Sequence, residues 1–403
     1  MTARSPRRQA LTVLVPGLMA YSMGQTVLFA LAGPVFRDIG LRESQLGWII
    51  SAAAVVFVFS SAIWGRLSDR WGRRSTIVFG LFSYALTSFA FAFVLQLGLS
   101  GALAPAAVFG TLLTLRLLYA ALGAGIQPAS VALMADLSSE SERASAVAMV
   151  GAAFALGMVL GPASAALLVG AGVLTPLYAI ATLGLLCAGA AAWKLPAATA
   201  GQRSDDEASV PIAALWPLIV GALLIYLAMS AIQQTMAFNV QDLLGTDSVG
   251  TARQAGYFFM AIAFATIFVQ VGVIQRLQPT ARQLLCVGLP LGLAGIIAYA
   301  LAEAFWQLLG AAVLIGLGFG MLMPGLTAAA SLRVGTAVQG RVAGIMQGAM
   351  AAGFVFGPVA GTAAYELDRS YAALVALIAM IAASVILLAA IADRRVRASA
   401  PAP

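Results

Sequence analysis

The densest chemistry in this chain is the run Gly65-Arg66-Leu67-Ser68-Asp69-Arg70-Trp71-Gly72-Arg73-Arg74, which sets four guanidinium groups around one carboxylate. Charge so concentrated needs water, and it can make charge-assisted pairs. Asp69 can sit at the positive amino end of a helix, and Arg73 can reach a second carboxylate across a bundle. The stretches on either side, 46–64 and 75–97, are apolar and long enough to cross a hydrocarbon core of ~30 Å. The run is therefore expected to be a tight aqueous loop between two membrane spans, with Gly65 and Gly72 permitting the turn. Its arginine excess marks the cytoplasmic side.

Arg116 is the second group with chemical potential. It falls inside the apolar stretch 105–134, eleven residues from its start, and so roughly 17 Å deep at 1.5 Å per residue. A charge at that depth costs at least ~2.5–3.5 kcal/mol unless it meets water or a partner, which makes function its default reading. No acid accompanies it: Asp38, Asp136, Glu303 and Glu366 all lie near the ends of apolar stretches. A lone interior cation repels lipophilic cations and suits neutral, zwitterionic or anionic organic molecules. Tyr21, Ser22, Gln25, Gln127, Gln233, Gln234, Asn239 and Gln347 are the other interior polar candidates for a proton or substrate path. Each of these could instead hydrogen-bond across a helix pair. Histidine is absent, and the two cysteines, Cys187 and Cys286, both sit in apolar runs. No metal site, cofactor or disulfide framework is expected, and Met321 and Met323 beside Pro324 read as packing.

The elements that must position these groups are membrane helices. Of 403 residues, 62% are hydrophobic and only 9% charged, where soluble domains carry about a quarter charged residues. Apolar stretches recur twelve times, near 10–32, 46–64, 75–97, 105–134, 144–170, 175–194, 213–239, 254–275, 283–302, 304–332, 340–364 and 371–392. The first follows Arg4, Arg7 and Arg8 like a secretory signal but is too long for one, and it reads as an uncleaved first helix. With both termini inside, seventeen of the 22 basic residues fall on the cytoplasmic side. Four fall outside, Arg37, Arg42, Arg253 and Arg369, and Arg116 alone lies within a span. The net charge of +7 is thus a topology signal and implies no nucleic-acid partner.

Residues 195–212, including Gly201-Gln202-Arg203-Ser204-Asp205-Asp206-Glu207, form the one polar interruption, a cytoplasmic linker between halves 1–194 and 213–403. The halves repeat. Gly123-x-Gly125-x-x-Pro128 is echoed by Gly318-x-Gly320-x-x-x-Pro324, and Gly157-x-x-x-Gly161-Pro162 by Gly353-x-x-x-Gly357-Pro358, at offsets of 195 (318 − 123) and 196 (353 − 157). Small residues four apart let helix backbones meet, and each proline bends its helix. The counterpart of the arginine-rich run, Gly272-Val273-Ile274-Gln275-Arg276, is degenerate.

Taken together, the spelling G-x-L-S-D-R-x-G-R-R, the arginine in the fourth span and the glycine–proline seam of the fifth resemble the major facilitator superfamily of secondary transporters, in particular its bacterial drug:proton antiporter branch. The match is partial. Ala165 and Ala166 stand where that branch has glycines, and Ala120 stands where a glycine follows the arginine. The resemblance implies an all-α polytopic membrane protein of twelve transmembrane helices in two pseudo-symmetric six-helix halves, monomeric, lipid-embedded and not an enzyme. It implies a conformational latch from Gly65, Asp69, Arg70, Gly72, Arg73 and Arg74, with Arg73 turned toward Asp136, the acid ending span four. It links Arg116 to proton transfer and favours proton-coupled export of a small organic molecule across the inner membrane by alternating access. Proton-coupled uptake of a nutrient or chelate, and a lipid-handling or sensing role on the same fold, are the alternatives.

Overall fold

Uninterrupted apolar stretches of about twenty residues leave the backbone one way to satisfy its polar groups in lipid, which is to hydrogen-bond to itself as helix. A computed structural model of the chain describes residues 6–196, 212–335 and 338–392. Among the described residues there are helices and no strands, and twelve helices are long and apolar enough to cross a membrane. They are α1 (Arg7–Ile39), α2 (Glu43–Trp71), α3 (Arg73–Leu99), α4 (Pro105–Asp136), α5 (Ser145–Ala171), α6 (Thr175–Lys194), α7 (Leu215–Leu244), α8 (Ser248–Leu277), α9 (Ala281–Ala300), α10 (Phe305–Ser331), α11 (Arg341–Leu367) and α12 (Arg369–Ala392). The expected linker segment Gly201–Glu207, with Arg4, Arg203, Arg394, Arg395 and Arg397, lies outside the described residues.

The chain divides into two units. The first comprises Met1–Gln45, Ala52–Arg203 and Thr246–Gly256; the second comprises Leu46–Ser51, Ser204–Gly245 and Tyr257–Pro403. In the first, α1 packs along α5 and α6, and α3 along α4 and α6. In the second, α7 packs along α11 and α12, and α9 along α10 and α12.

The same joint is built in each unit. Gly157 and Gly161 of α5 press on α1, where a Cβ at Gly161 would stand 2.7 Å from the Met23 carbonyl oxygen and overlap the Thr26 hydroxyl. Gly353 and Gly357 of α11 press likewise on α7, a Cβ at Gly357 standing 2.7 Å from the Leu227 carbonyl oxygen and overlapping the Ser230 hydroxyl. Residues 23 and 26 on α1 correspond to 227 and 230 on α7, a constant shift of 204, so the internal repeat is geometric as well as textual. Pro162 and Pro358 lie within their helices just after these contacts. The small residues therefore set helix spacing, as close backbone approach in lipid requires.

Three expectations are corrected. The arginine-rich run is no loop: α2 stays helical through Trp71, α3 begins at Arg73, and Gly72 alone separates them. Charged and polar side chains leaving the bilayer can propagate a helix into water. Gly72 turns the chain with φ +88°, its N–H capping α2 at the Ser68 carbonyl while its own carbonyl accepts from Thr76. Gly65 makes no turn; it lies mid-helix with open space where a side chain would project. The fourth span is interrupted, helical over Pro105–Gly123 and again over Ile126–Asp136. Pro128 cannot donate across the Gly123–Gly125 step, and Trp64 Nε1 donates to the Ala121 carbonyl there at 2.7 Å. In α10, by contrast, Gly318, Gly320 and Pro324 sit in one continuous helix. Finally, Gly272, in the counterpart of the arginine-rich run, makes no turn either: it lies in a π-helical stretch, Phe268–Ile274, inside α8.

Candidate functional site

Three tyrosines from three helices meet in the first unit. Tyr21 of α1 and Tyr119 of α4 stack, centroids 5.9 Å apart with rings 15° from parallel. Tyr84 of α3 meets both edge-on, at 5.4 Å and 5.7 Å, and Phe154 of α5 adds a fourth ring 6.4 Å from Tyr21. Edge-to-face and offset contacts satisfy the ring quadrupoles. Glycines make the space: Gly24 and Gly184 flank the Tyr84 ring, and Gly123 faces Tyr21.

Arg116 lies one turn before Tyr119, its guanidinium carbon 4.4 Å from that ring's centroid. It makes no ion pair among the described residues. Arg116 is half-buried, and the attraction it has is cation–π. Beside it opens a cavity of about 20 Å³, room for one water, lined by Gly24, Tyr84, Thr87, Ser88, Arg116 and Tyr119 together with apolar neighbours.

The polar atoms around this cavity divide sharply. Tyr84 donates to the Ala20 carbonyl at 2.6 Å, and Thr87 to the Ser83 carbonyl at 2.7 Å. Tyr21 and Tyr119 are buried, at 1% and 6% exposure, and their hydroxyls make no well-formed hydrogen bond, with Gln25 beside Tyr21 and the Arg116 guanidinium beside Tyr119. Buried polar atoms are almost always well paired, so this weakly satisfied cluster of two hydroxyls and a guanidinium is the candidate site.

A profile of the Major Facilitator Superfamily matches residues 14–358. The chain belongs to that superfamily. Multidrug resistance protein 2 of Bacillus subtilis (strain 168) is 24% identical over 384 residues, covering 92% of each chain. Multidrug resistance protein 1 of the same organism is 22% identical, covering 90% of this chain and 91% of its own. Among solved structures, a bacterial homologue of the human lysosomal transporter Spinster superposes over the whole of both chains with a TM-score of 0.77 at 16% identity. The protein is thus a multi-pass membrane transporter of a small molecule, not an enzyme.

In the transporter's arginine-rich segment, Arg73 is nearly buried and forms an ion pair with Asp69, while Nε faces Asp136 at 3.4 Å and Nη1 donates to the Ser68 hydroxyl at 2.7 Å. Arg74 donates to the Ala192 carbonyl of α6. Arg70 is exposed. Asp38, at the far end of α1, accepts from the Ser248 hydroxyl within the first unit.

The remaining polar candidates scatter. Ser22 faces the Gly157 seam with its hydroxyl on the Leu18 carbonyl at 2.9 Å, so it serves packing away from the Arg116 cavity. Gln25 and Gln127 are half-buried, and Gln347 is exposed. In the second unit, Gln233 and Gln234 are buried with one amide atom each unpaired, Oε1 and Nε2. Asn239 is occupied, its Oδ1 accepting from Arg369 Nε at 2.7 Å near the end of α7, where Tyr365 donates to Asp242 at 2.5 Å. Sequence reasoning missed Tyr84, Tyr119 and Trp64. The available signal was a tyrosine within each of three apolar runs, together with the glycines that make room for two of the rings.

Proposed function

We propose that this transporter exports a small neutral, zwitterionic or anionic organic compound across the inner membrane, driven by inward proton flow through alternating access. The carrying observation is Arg116: a guanidinium deep in a span, with no carboxylate partner among the described residues, beside two buried tyrosine hydroxyls and a small cavity. An anionic or strongly polar substrate group compensates such a charge, and a cation does not. Export draws support from the two Bacillus relatives, both multidrug resistance proteins. The seventeen-to-four arginine and lysine asymmetry supports cytoplasmic termini, with the segment around Gly72 also inside. Two six-helix halves, joined through 195–212, would rock about the substrate. The Arg73–Asp69–Asp136 cluster would serve as a latch, and Asp136 or Asp38 as proton carrier, since no acid lies deeper.

The test is an efflux panel of matched anionic and cationic compounds in cells expressing wild type, Arg116→Lys and Arg116→Ala. Anionic compounds should be exported by wild type, partly by Arg116→Lys, which keeps charge but loses the planar fork, and not by Arg116→Ala. An ionophore that collapses the pH gradient should raise substrate accumulation. Export of ethidium-like cations untouched by Arg116→Ala would reverse the assigned polarity.

A further inference from the structure

In the first unit, helices α3 and α6 leave a groove of about 590 Å³ between them. Its walls are Val78, Phe79 and Phe82 of α3, and its floor is the small-residue stretch Ala188, Gly189 and Ala192 of α6. A Cβ at Gly189 would meet nothing within 4 Å, so the groove is open there and not a packing seam. Phe79 and Phe82 are exposed, as a lipid-facing wall would be.

One end is different in kind. Arg74 and Ser75 close it, and Arg74 is held in place by its bond to the Ala192 carbonyl, which occupies one of the five guanidinium N–H donors. Close along the chain to Arg74 and Ala192 are exposed Trp71, Trp193 and Lys194, the lysine ammonium 5.4 Å from the Trp193 ring. Exposed tryptophans with lysine and arginine are the composition of a membrane–water interface. From Arg74 to Phe82 the groove runs along eight residues of helix, roughly 12 Å, from headgroup depth into the acyl region.

We propose that this groove is a binding site for an anionic phospholipid of the leaflet at the α2–α3 junction. Arg74 and Lys194 take the phosphate, and the acyl chain lies against Phe79 and Phe82 over Gly189. Basic residues at the mouth of a groove between transmembrane helices select anionic headgroups, each contributing about 1 kcal/mol near a charged surface. The small floor lets a chain lie flat against the bundle. This site is separate from Arg116 and does not depend on the direction or coupling of transport.

The full-length transporter is purified in detergent and titrated with phosphatidylglycerol, phosphatidylcholine or glycerol 3-phosphate. Native mass spectrometry counts retained lipid, and a thermal melt reads stabilisation. Wild type should retain and be stabilised by phosphatidylglycerol over phosphatidylcholine, with no protection by glycerol 3-phosphate. Arg74→Gln should weaken phosphatidylglycerol binding roughly fivefold, the factor that about 1 kcal/mol represents, and Arg74→Lys should retain most of it. Gly189→Leu fills the groove from an open position, so it should fold normally and lose the bound lipid. Equal retention of both lipids by wild type overturns the proposal. So does an unchanged preference in Gly189→Leu, which would leave only a diffuse basic surface, or protection by glycerol 3-phosphate alone, which would leave only an anion site.

Discussion

Gly161→Ala isolates the device that sets helix spacing in the first unit. The new methyl would stand 2.7 Å from the Met23 carbonyl oxygen and 3.1 Å from the Val27 nitrogen, both backbone atoms of α1. Rotating a side chain relieves neither contact, so α1 and α5 must part by about 0.7 Å to restore an ordinary 3.4 Å contact. Overpacking of this kind costs about 1–3 kcal/mol, offset by up to ~1 kcal/mol from alanine's better helix propensity. A net loss near 1–2 kcal/mol lowers the melting midpoint by roughly 2–8 °C for a unit of this size. Gly151→Ala on the same helix is the control: its Cβ meets nothing within 4 Å, so it gains the propensity without the clash. Gly357→Ala should reproduce the Gly161 effect in the second unit, because its Cβ stands 2.7 Å from the Leu227 carbonyl oxygen. The assay is a fluorescence-detected melt of purified variants in one detergent. If Gly161→Ala melts with wild type, or Gly151→Ala falls as far as Gly161→Ala, the close approach is not what limits the spacing.

Other consequences are equally concrete. Asp69→Asn or Asp136→Asn alone should lower transport and destabilise by under ~1 kcal/mol, because the other carboxylate still faces Arg73; the double variant should lose about 3 kcal/mol by leaving Arg73 unpaired, read by melt and efflux together. Tyr119→Phe removes a buried hydroxyl that makes no well-formed hydrogen bond and lies against Arg116, so it should lower the melting midpoint less than Tyr84→Phe while reducing efflux; Tyr84→Phe forfeits the bond to the Ala20 carbonyl and should cost about 1 kcal/mol. Hydrogen bonds from the Ser370 N–H and hydroxyl hold the Asp368 carboxyl below its ordinary value. Their stabilisation is present above the unfolded pKa near 3.8 and lost as pH falls through the lowered one. Ser370→Ala should therefore lower the melting midpoint at pH 7 but not under strongly acidic conditions.

The number and order of spans were legible because lipid imposes a length on every crossing segment, and each of the twelve runs satisfies it. The glycine seams were legible for the same kind of reason: a spacing of four places two small residues on one helix face. What could not be read was how helices continue outside the bilayer. Ser68, Asp69 and Arg70 look like loop, yet helix propagation in water tolerates them, and only the positive φ of Gly72 breaks the chain. The π-helical turn at Phe268–Ile274 has no compositional mark, since its hydrogen-bond shift is a backbone event. Arg116 was legible as a charge at depth, but its partners were not. Tyr84 and Tyr119 become neighbours of Tyr21 only when three helices pack.

Polar residues inside the bilayer therefore fall into two kinds that composition alone does not separate. Short hydroxyl side chains return their proton to the carbonyl one turn back, as Ser22, Thr26, Ser130, Thr235 and Thr362 do. Their cost is met within their own helix, so they can line apolar seams and need no ligand. Tyrosine and glutamine reach too far for that bond to the carbonyl one turn back, and so need a partner from another side chain, another helix, water or a ligand. Tyr84 finds one in the Ala20 carbonyl; Tyr21 and Tyr119 have only imperfectly aligned neighbours in Gln25 and Arg116, and Gln233 and Gln234 each keep one amide atom unpaired. A long polar side chain left unsatisfied at depth is unfavourable in the empty protein and favourable once a polar guest arrives. On the proposed function, weakly satisfied long side chains, more than polarity as such, are the candidates for the transport path, and the locally bonded hydroxyls belong to the packing.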